Sequence, residues 1–567
     1  MSRFWKFLVG LFLVATAHAQ MPHQVLLLVN SQSQASLKVA NNFAEARGIP
    51  KINMVYLNIP EGAYGGTATI TPEEFTKLIW EPANAAAKKR GIEDHILAWV
   101  YSVDFPIRVK TDPSDRKQMS VGGLTFLRNK PVALNLVEEG KYFSKLFAGP
   151  NERLKLSLSA LSLGMQKNGL GKGTTVPPEV AYLQLGLRDR MPLPSMMLGY
   201  IGEKGTDVDT VLKTIERGKA ADYHGRRGGI YFITSNDIRS KCRERQFVPA
   251  AQELAKRGIG STISTNFPTG AKNVMGLMMG AETVDPSAIK SFVPGAMAEH
   301  LTSWSAEFQK RQTKMTDWLK AGATASAGSV VEPYSNPNKF PSARFFVHYT
   351  AGCTMLEAFY QSIACPLQIL LLGDPMAKPY AVPFSVTVLG SNLIRRDTVY
   401  YSNAECQLSN VNFLYSFLLD GKEISEWSED PSVNIETKKL ADGYHELRGA
   451  VCIKHLVEFD ASFDKSFTLD RQGRSIAIDP KIEKVTTHEH SIKVKVGGTE
   501  MPERIRLVCG AQILDEKDYL PDSRLILDEL IIGEGPNRIQ VVGLYADGME
   551  VASPPLKFTI KFTPETP

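Results

Sequence analysis

PGAMAEHLTSW (294–304), AGATASAGSVVEPY (321–334) and LLLGDP (370–375) share one pattern: a run of small or apolar residues that closes on a polar cluster. Buried strands of a parallel sheet are written this way, and α/β proteins place their ligands where such strands end. On this reading the ends of all three runs share one carboxyl edge, and a helix from Thr354 to Ile363 separates the last two.

Outward from this block the alternation of strand and helix continues. Val25–Val29 is a buried-type strand, followed by Leu37, Ala40, Phe43 and Ala44 at helical spacing, a stop at Gly48 and Pro50, and a strand from Met54 to Leu57. Thr71-Pro72-Glu73-Glu74 supplies an N-cap, a proline at the first helical position and a capping-box glutamate, so a helix is expected from there to about Lys89. His95–Val103, Met196–Ile201, Gly229–Thr234 and Val274–Met279 are further strands. Helices fall between them, one capped by Thr206 with Val208, Val211, Leu212 and Ile215 on its apolar face, another from Phe247 to Arg257. The predicted fold is a mostly parallel, doubly wound α/β sheet over residues 20–382.

Residues 111–194 interrupt this pattern as a long insertion. It contains NGLGKGTT (168–175), but a phosphate loop needs a glycine where Gln166 stands, so a surface loop is the expectation. His224-Gly225 precedes a strand instead of following one, which favours a turn at a helix end.

After about Val382 helical periodicity disappears. SVTVL, NFLYSFLL, SIKVKV and RIQVVGLY alternate, punctuated by Asp420-Gly421, Asp442-Gly443 and Asp547-Gly548, the signature of antiparallel β-sandwiches. GYHELR from Gly443 resembles GPNRIQ from Gly535, at a separation close to the roughly 100 residues of one immunoglobulin-like domain. Two such domains, 383–474 and 475–567, are expected to fold independently of the first.

At 567 residues the chain exceeds one core. Its 65 basic and 60 acidic residues leave a net charge of +5, too slight to imply nucleic acid or an anionic membrane as partner. Arg3 and Lys6, the apolar run Phe7–Ala15 and Ala17-His18-Ala19 form a secretory signal peptide, 1–19, cut after Ala19. The run is too short for a membrane anchor, and no later stretch is long enough to span, so no transmembrane segment is expected in the mature chain. Export to the periplasm, cell surface or extracellular space follows. The six cysteines lack C-x-x-C spacing, which argues against zinc; Cys406 and Cys452 are the candidate disulfide, with two buried free thiols as the alternative. No metal and no cofactor is expected.

With these residues in view, EARGIP (45–50), AEHLTSW (298–304), WLKAGATASAGSVVEPY (318–334) and LLLGDP resemble a family of exported proteins from bacteria that carry exosortase, a transpeptidase-like enzyme thought to sort surface proteins. GATASAG, EAFYQSI (357–363) and the GDP end are more distantly similar to gingipain-type cysteine peptidases. That resemblance implies a caspase-like α/β fold, immunoglobulin-like domains behind it, and a surface protein or peptide as partner. In those peptidases a His-Gly and a Cys stand at the ends of adjacent strands, the histidine activating the thiol. Here Thr302, Ser303, Thr324 and Ser326 occupy the corresponding ends, and Cys353 and Cys365 flank a helix.

His300 is the candidate general base, with Ser303 or Thr302 as a hydroxyl nucleophile and Glu332 to orient the ring or bind a cation. Alternation along a strand puts His300 and Thr302 on one side and Glu299 and Ser303 on the other. Against this stand a buried, hydrogen-bonded His300 that holds a loop and a Glu332 that serves a turn. Asp104, Asp237 and Asp374 end other strands, Asp374 read as a turn cap. Three functions fit: action on or beside surface proteins of an exosortase system, a non-thiol hydrolase, or a pseudoenzyme binding a peptide or glycan.

Overall fold

Val25, Leu27 and Val29 face one side of a strand and Leu26 and Leu28 the other, and all five are fully buried. A strand covered on both faces belongs inside a sheet with helices on each side. The computed structural model describes residues 15–16, 21–147, 192–225, 228–453, 459–479 and 482–562. The signal peptide with its cleavage position and the NGLGKGTT segment lie outside the described residues.

The strands of the first unit are β1 (Val25–Asn30), β2 (Met54–Leu57), β3 (Ala98–Tyr101), β4 (Ser195–Met197), β5 (Gly229–Ile233), β6 (Ser261–Ser264), β7 (Val274–Gly280), β8 (Phe292–Leu301), β9 (Ala325–Ser329) and β10 (Ile369–Gly373). They form one ten-stranded sheet in the order β6-β5-β7-β8-β9-β10-β4-β3-β1-β2. Every neighbouring pair is parallel except β9 and β10, where Ala325 faces Gly373 and Ser329 faces Ile369. The sheet is thus two parallel halves joined back to front. This corrects the single carboxyl edge read from the sequence: Gly373-Asp374 lies beside the start of β9, at the edge opposite the ends of β8 and β9.

Helix α1 (Gln34–Arg47) begins at Ser33, whose side chain accepts from the Ser36 amide, and ends at Gly48 with φ +67°, a left-handed conformation that glycine adopts without strain. It packs Leu37, Ala40 and Phe43 with Val211 and Ile215 of α2 (Val208–Ala221) over Val25, Leu27 and Val29. The N-cap of α2 is Asp207, not Thr206. The Thr71 capping box forms as read, and the helical run continues through a π turn at Thr76–Trp80 to Arg90.

The two motifs EARGIP and LLLGDP meet in the core. Arg47, at the end of α1, donates from Nε to Asp374 Oδ2 at 2.9 Å and from Nη1 to Asp222 Oδ2 at 2.7 Å, and all three side chains are buried. Asp374 also accepts from the Met376 amide at 2.9 Å, the turn cap expected of it. Gly218 in α2 makes room, since a Cβ there would sit 2.1 Å from Asp374 Oδ2. His224 follows this helix end in a turn, its ring against the Asp222 carbonyl.

Beyond Val382 the described chain is mainly antiparallel β structure. One group includes β11 (Phe384–Leu389), β12 (Thr398–Cys406), β13 (Phe413–Leu419), β14 (Ser432–Ile435), β15 (Gly443–Ile453) and β16 (Phe459–Leu469). The other includes β17 (Ser475–Ile478), β18 (Glu489–Gly497), β19 (Arg504–Cys509), β20 (Gln512–Asp518), β21 (Arg524–Asp528), β22 (Gly535–Leu544), β23 (Glu550–Ala552) and β24 (Leu556–Ile560). The sequence repeat has a structural counterpart: Gly443 and Gly535 each open a long strand, both at φ +104°. The groups are joined where Gly443 pairs with Ala552, and the apolar core of the first runs without a break into that of the α/β unit. All six cysteines are free thiols. The proposed Cys406–Cys452 bridge is not formed: the two residues lie in different sheets, and Cys406 Sγ turns to the Leu408 carbonyl at 3.7 Å.

Candidate functional site

β8 carries alternate side chains to opposite faces, as expected of a strand. Ala298 and His300 face α3 (Met315–Lys320), while Met297 and Leu301 face the main core. His300 is fully buried, and its Nδ1 accepts a hydrogen bond from Trp318 Nε1 at 2.9 Å. An accepting Nδ1 places the proton of the neutral ring on Nε2. Burial holds the imidazole far below its ordinary value, at about 3; a backbone hydrogen bond at Thr313 works the other way, and the nearby Lys314 charge lowers it further. On the opposite face Glu299 is an ion pair with Arg243 at 2.5 Å, both buried. Burial raises the Glu299 carboxyl and Arg243 draws it back. Arg243 also donates to the carbonyls of Met279 and Pro341, at 2.8 and 2.7 Å, so this pair fastens β8 to its surroundings.

Beyond the strand the side chains turn to different partners. Thr302 Oγ1 donates to Gln312 Oε1 at 2.8 Å, which also accepts from the Trp304 amide at 3.0 Å. Ser303 Oγ donates to Glu332 Oε1 at 3.1 Å, and the Tyr334 amide donates to the same oxygen at 2.9 Å. Ser303 and Glu332 are therefore brought together, across the ends of β8 and β9. Among the described residues no hydrogen bond joins His300 to Ser303, Thr302 or Glu332.

Two residues missed in the sequence shape this edge. Gln312 has φ +93° and Tyr334 has φ +57°, conformations that cost a non-glycine residue energy and persist only where the surroundings impose them. Tyr334 is exposed, with the Arg116 guanidinium 5.3 Å from its ring centre. Neither residue belongs to a periodic pattern, so only the proline before Tyr334 marked this turn. The edge thus offers a hydroxyl bonded to a carboxylate, and an aromatic ring, with His300 turned away to Trp318.

The remaining candidates serve structure. Asp104, φ +59°, is bonded to Ser33, and its carbonyl accepts from Asn30 Nδ2 at 2.9 Å. Asp237 caps a short helix by accepting from the Arg239 amide at 2.8 Å and pairs with the Arg239 side chain. Cys353 and Cys365 are buried on either side of a helix, α4 (Met355–Ser362). Burial pushes both thiols above their ordinary value, away from the thiolate that thiol catalysis requires. Among the described residues no cluster of three or more His, Cys, Asp or Glu could hold a metal ion, and no helix is long and apolar enough to cross a membrane.

The burial of histidine has a pH consequence. His300 and His348 are each held at about 3 and His23 well below 6.5, in every case chiefly by burial. In the unfolded chain they titrate near 6.5. Their contribution to stability is therefore complete above pH 6.5 and is lost progressively as pH falls toward 3. In 15N NMR spectra of the folded protein at pH 5, these three rings are expected to remain neutral while a free histidine is protonated.

The fold and site together define a mixed α/β protein with a large, mainly parallel sheet and antiparallel β units behind it, its polar strand ends meeting at Ser303 and Glu332. No protein-family model and no curated protein matches the chain. Among solved structures it is similar to one described as "Structure of Protease", at 10% identity and TM-score 0.36, covering 80% of this chain and 98% of that one. A surface glycan-binding protein of Bacteroides ovatus, SGBP-B of a mixed-linkage glucan utilization locus, aligns at 15% identity and TM-score 0.17, over 30% of this chain and 42% of its own. The fibronectin(III)-like modules of Clostridium thermocellum CbhA align at 13% identity and TM-score 0.13, over 15% of this chain and 92% of theirs. At these scores none of the three defines a fold family or a function for this chain.

Proposed function

We propose that this is an exported surface protein whose gingipain-like α/β unit binds a peptide or glycan without cleaving it, beside the surface proteins of an exosortase sorting system. The immunoglobulin-like units act as spacers. One observation carries the reading: the histidine best placed to act as a base is buried, bonded to Trp318 and held neutral, while the Ser303 hydroxyl is bonded to Glu332. A hydrolase built on His300 and Ser303 would need the ring to leave Trp318 and cross from one face of the strand to the other. The ligand edge is Ser303, Glu332 and Tyr334, where an aromatic ring and a carboxylate stand exposed or half-exposed together.

The test is to screen the mature protein against arrays of bacterial surface glycans and of peptides from surface proteins. Glu332→Gln and Tyr334→Ala should each weaken any specific signal about tenfold, as expected for loss of one charged hydrogen bond or one aromatic contact. Binding that is unchanged in both variants would place the ligand elsewhere, and turnover of the bound ligand would establish the hydrolase instead.

A further inference from the structure

The junction of the three units holds a cavity of about 380 Å³ that the proposed ligand edge does not use. Its wall includes Glu45 and Lys51 from the α/β unit, Arg448 and Asp464 from the first β unit, and Arg538 and Lys557 from the second. Sites between domains are common places for ligands, because each unit contributes groups that no single core could expose.

The cations are incompletely matched. Lys51 is nine-tenths buried, and among the described residues its ammonium, which can donate three hydrogen bonds, makes one, to Asn41 Oδ1 at 3.3 Å. Arg538 and Lys557 face each other directly across β22 and β24, with the Glu446 and Asp464 carboxylates acting on both. Arg538 is paired with Glu446 at 2.7 Å and Arg448 with Asp464 at 2.8 Å, whereas Lys557 has no ion-pair partner among the described residues. Glu45 is exposed and makes no ion pair within the described residues.

We infer that this cavity binds a compact oxyanion, a carboxylate or a phosphate or sulfate group, held between Lys51, Arg538 and Lys557. The ligand's negative charge would engage the Lys51 ammonium, which has one described hydrogen bond, and Lys557, which has no ion pair among the described residues. It would also tie the α/β unit to the second β unit, since its contacts come from both. Several directed donors around a small cavity favour a group with several acceptor oxygens over spherical chloride.

Calorimetric titration of the full mature chain with sodium phosphate, sulfate or acetate, against a sodium chloride blank at equal ionic strength, tests this. Saturable binding of at least one of the three is expected, weakened about tenfold or more in Lys51→Met and in the exposed Lys557→Ala. Phosphate or sulfate binding with acetate silent identifies a tetrahedral oxyanion as the preferred ligand; binding of acetate alone identifies a carboxylate. No saturable binding above the blank, or binding unchanged in Lys557→Ala, overturns the inference even if Lys51→Met fails to fold.

Discussion

Replacing Arg47 by methionine is expected to destabilise the α/β unit by about 3–5 kcal/mol, the cost of breaking a buried ion pair by removing one partner. Asp374 and Asp222 would be left in the core with their shared counter-charge gone. The effect should depend on pH, with a definite sign. Burial raises the Asp374 carboxyl and Arg47 pulls it back down; without Arg47 the folded-state value rises further above that of the unfolded chain, near 3.9. A carboxyl raised in the folded state stabilises the fold below the unfolded value and loses that contribution as pH climbs through the folded one. The variant should therefore suffer least at about pH 4 and most at neutral pH. Urea unfolding of the wild type and variant at both pH values measures this. A loss of the same size at both would show that the arginine's packing, and not its charge, is what the core requires.

His300→Ala is the second large effect. It removes a fully buried ring and strands the Trp318 N–H without an acceptor. Cavity and lost hydrogen bond together should cost about 2–4 kcal/mol. On the present account that loss appears in thermal or urea unfolding, while ligand binding at the Ser303–Glu332 edge survives at temperatures where the variant is folded. His300→Gln keeps a polar group at the position and should recover part of the stability. Abolished function in a variant that remains folded would make His300 a participant in the chemistry.

The strands and helices were legible because their signals are local. Met54–Leu57 matches in full, Gly229–Thr234 and Val274–Met279 to within a residue, and the Thr71 and Thr354 caps fall where hydroxyl and glutamate stand three apart. Burial on both faces of β1 follows from five consecutive apolar residues. What the sequence could not carry is direction. β10 is as apolar as any parallel strand, and nothing in LLLGDP distinguishes a strand entering the sheet antiparallel; that orientation is settled by the path through the helices between Ser329 and Ile369. The consequence was functional, because it removes Asp374 from the edge that carries Ser303 and Glu332.

Charged residues misled in a related way. Arg47 closes a helix whose last turn would ordinarily face water, yet it is the hub of a buried cluster whose partners lie far along the chain. Its presence in EARGIP, and that of Asp374 in LLLGDP, was visible; their contact was not. The His300 alternatives were both legible, and period-2 alternation had already put His300 and Ser303 on opposite faces. Which alternative holds depends on Trp318, which shares no local pattern with the histidine. The short strand β6 and the helix Arg344–Tyr349 escaped notice because neither has enough residues for periodicity to register.

Binding without cleavage requires that neither the strand-end hydroxyls nor the two helix-flanking thiols be activated. It is tested most directly by treating the native, mature protein with a fluorophosphonate and with iodoacetamide and mapping adducts by mass spectrometry. No adduct is expected at Ser303, Thr302, Cys353 or Cys365 in the folded protein, with both cysteines labelled only after denaturation. A native-state fluorophosphonate adduct at Ser303 or Thr302 would contradict it and identify an activated hydroxyl, and native-state alkylation of Cys353 or Cys365 would contradict it by showing an accessible, reactive thiol.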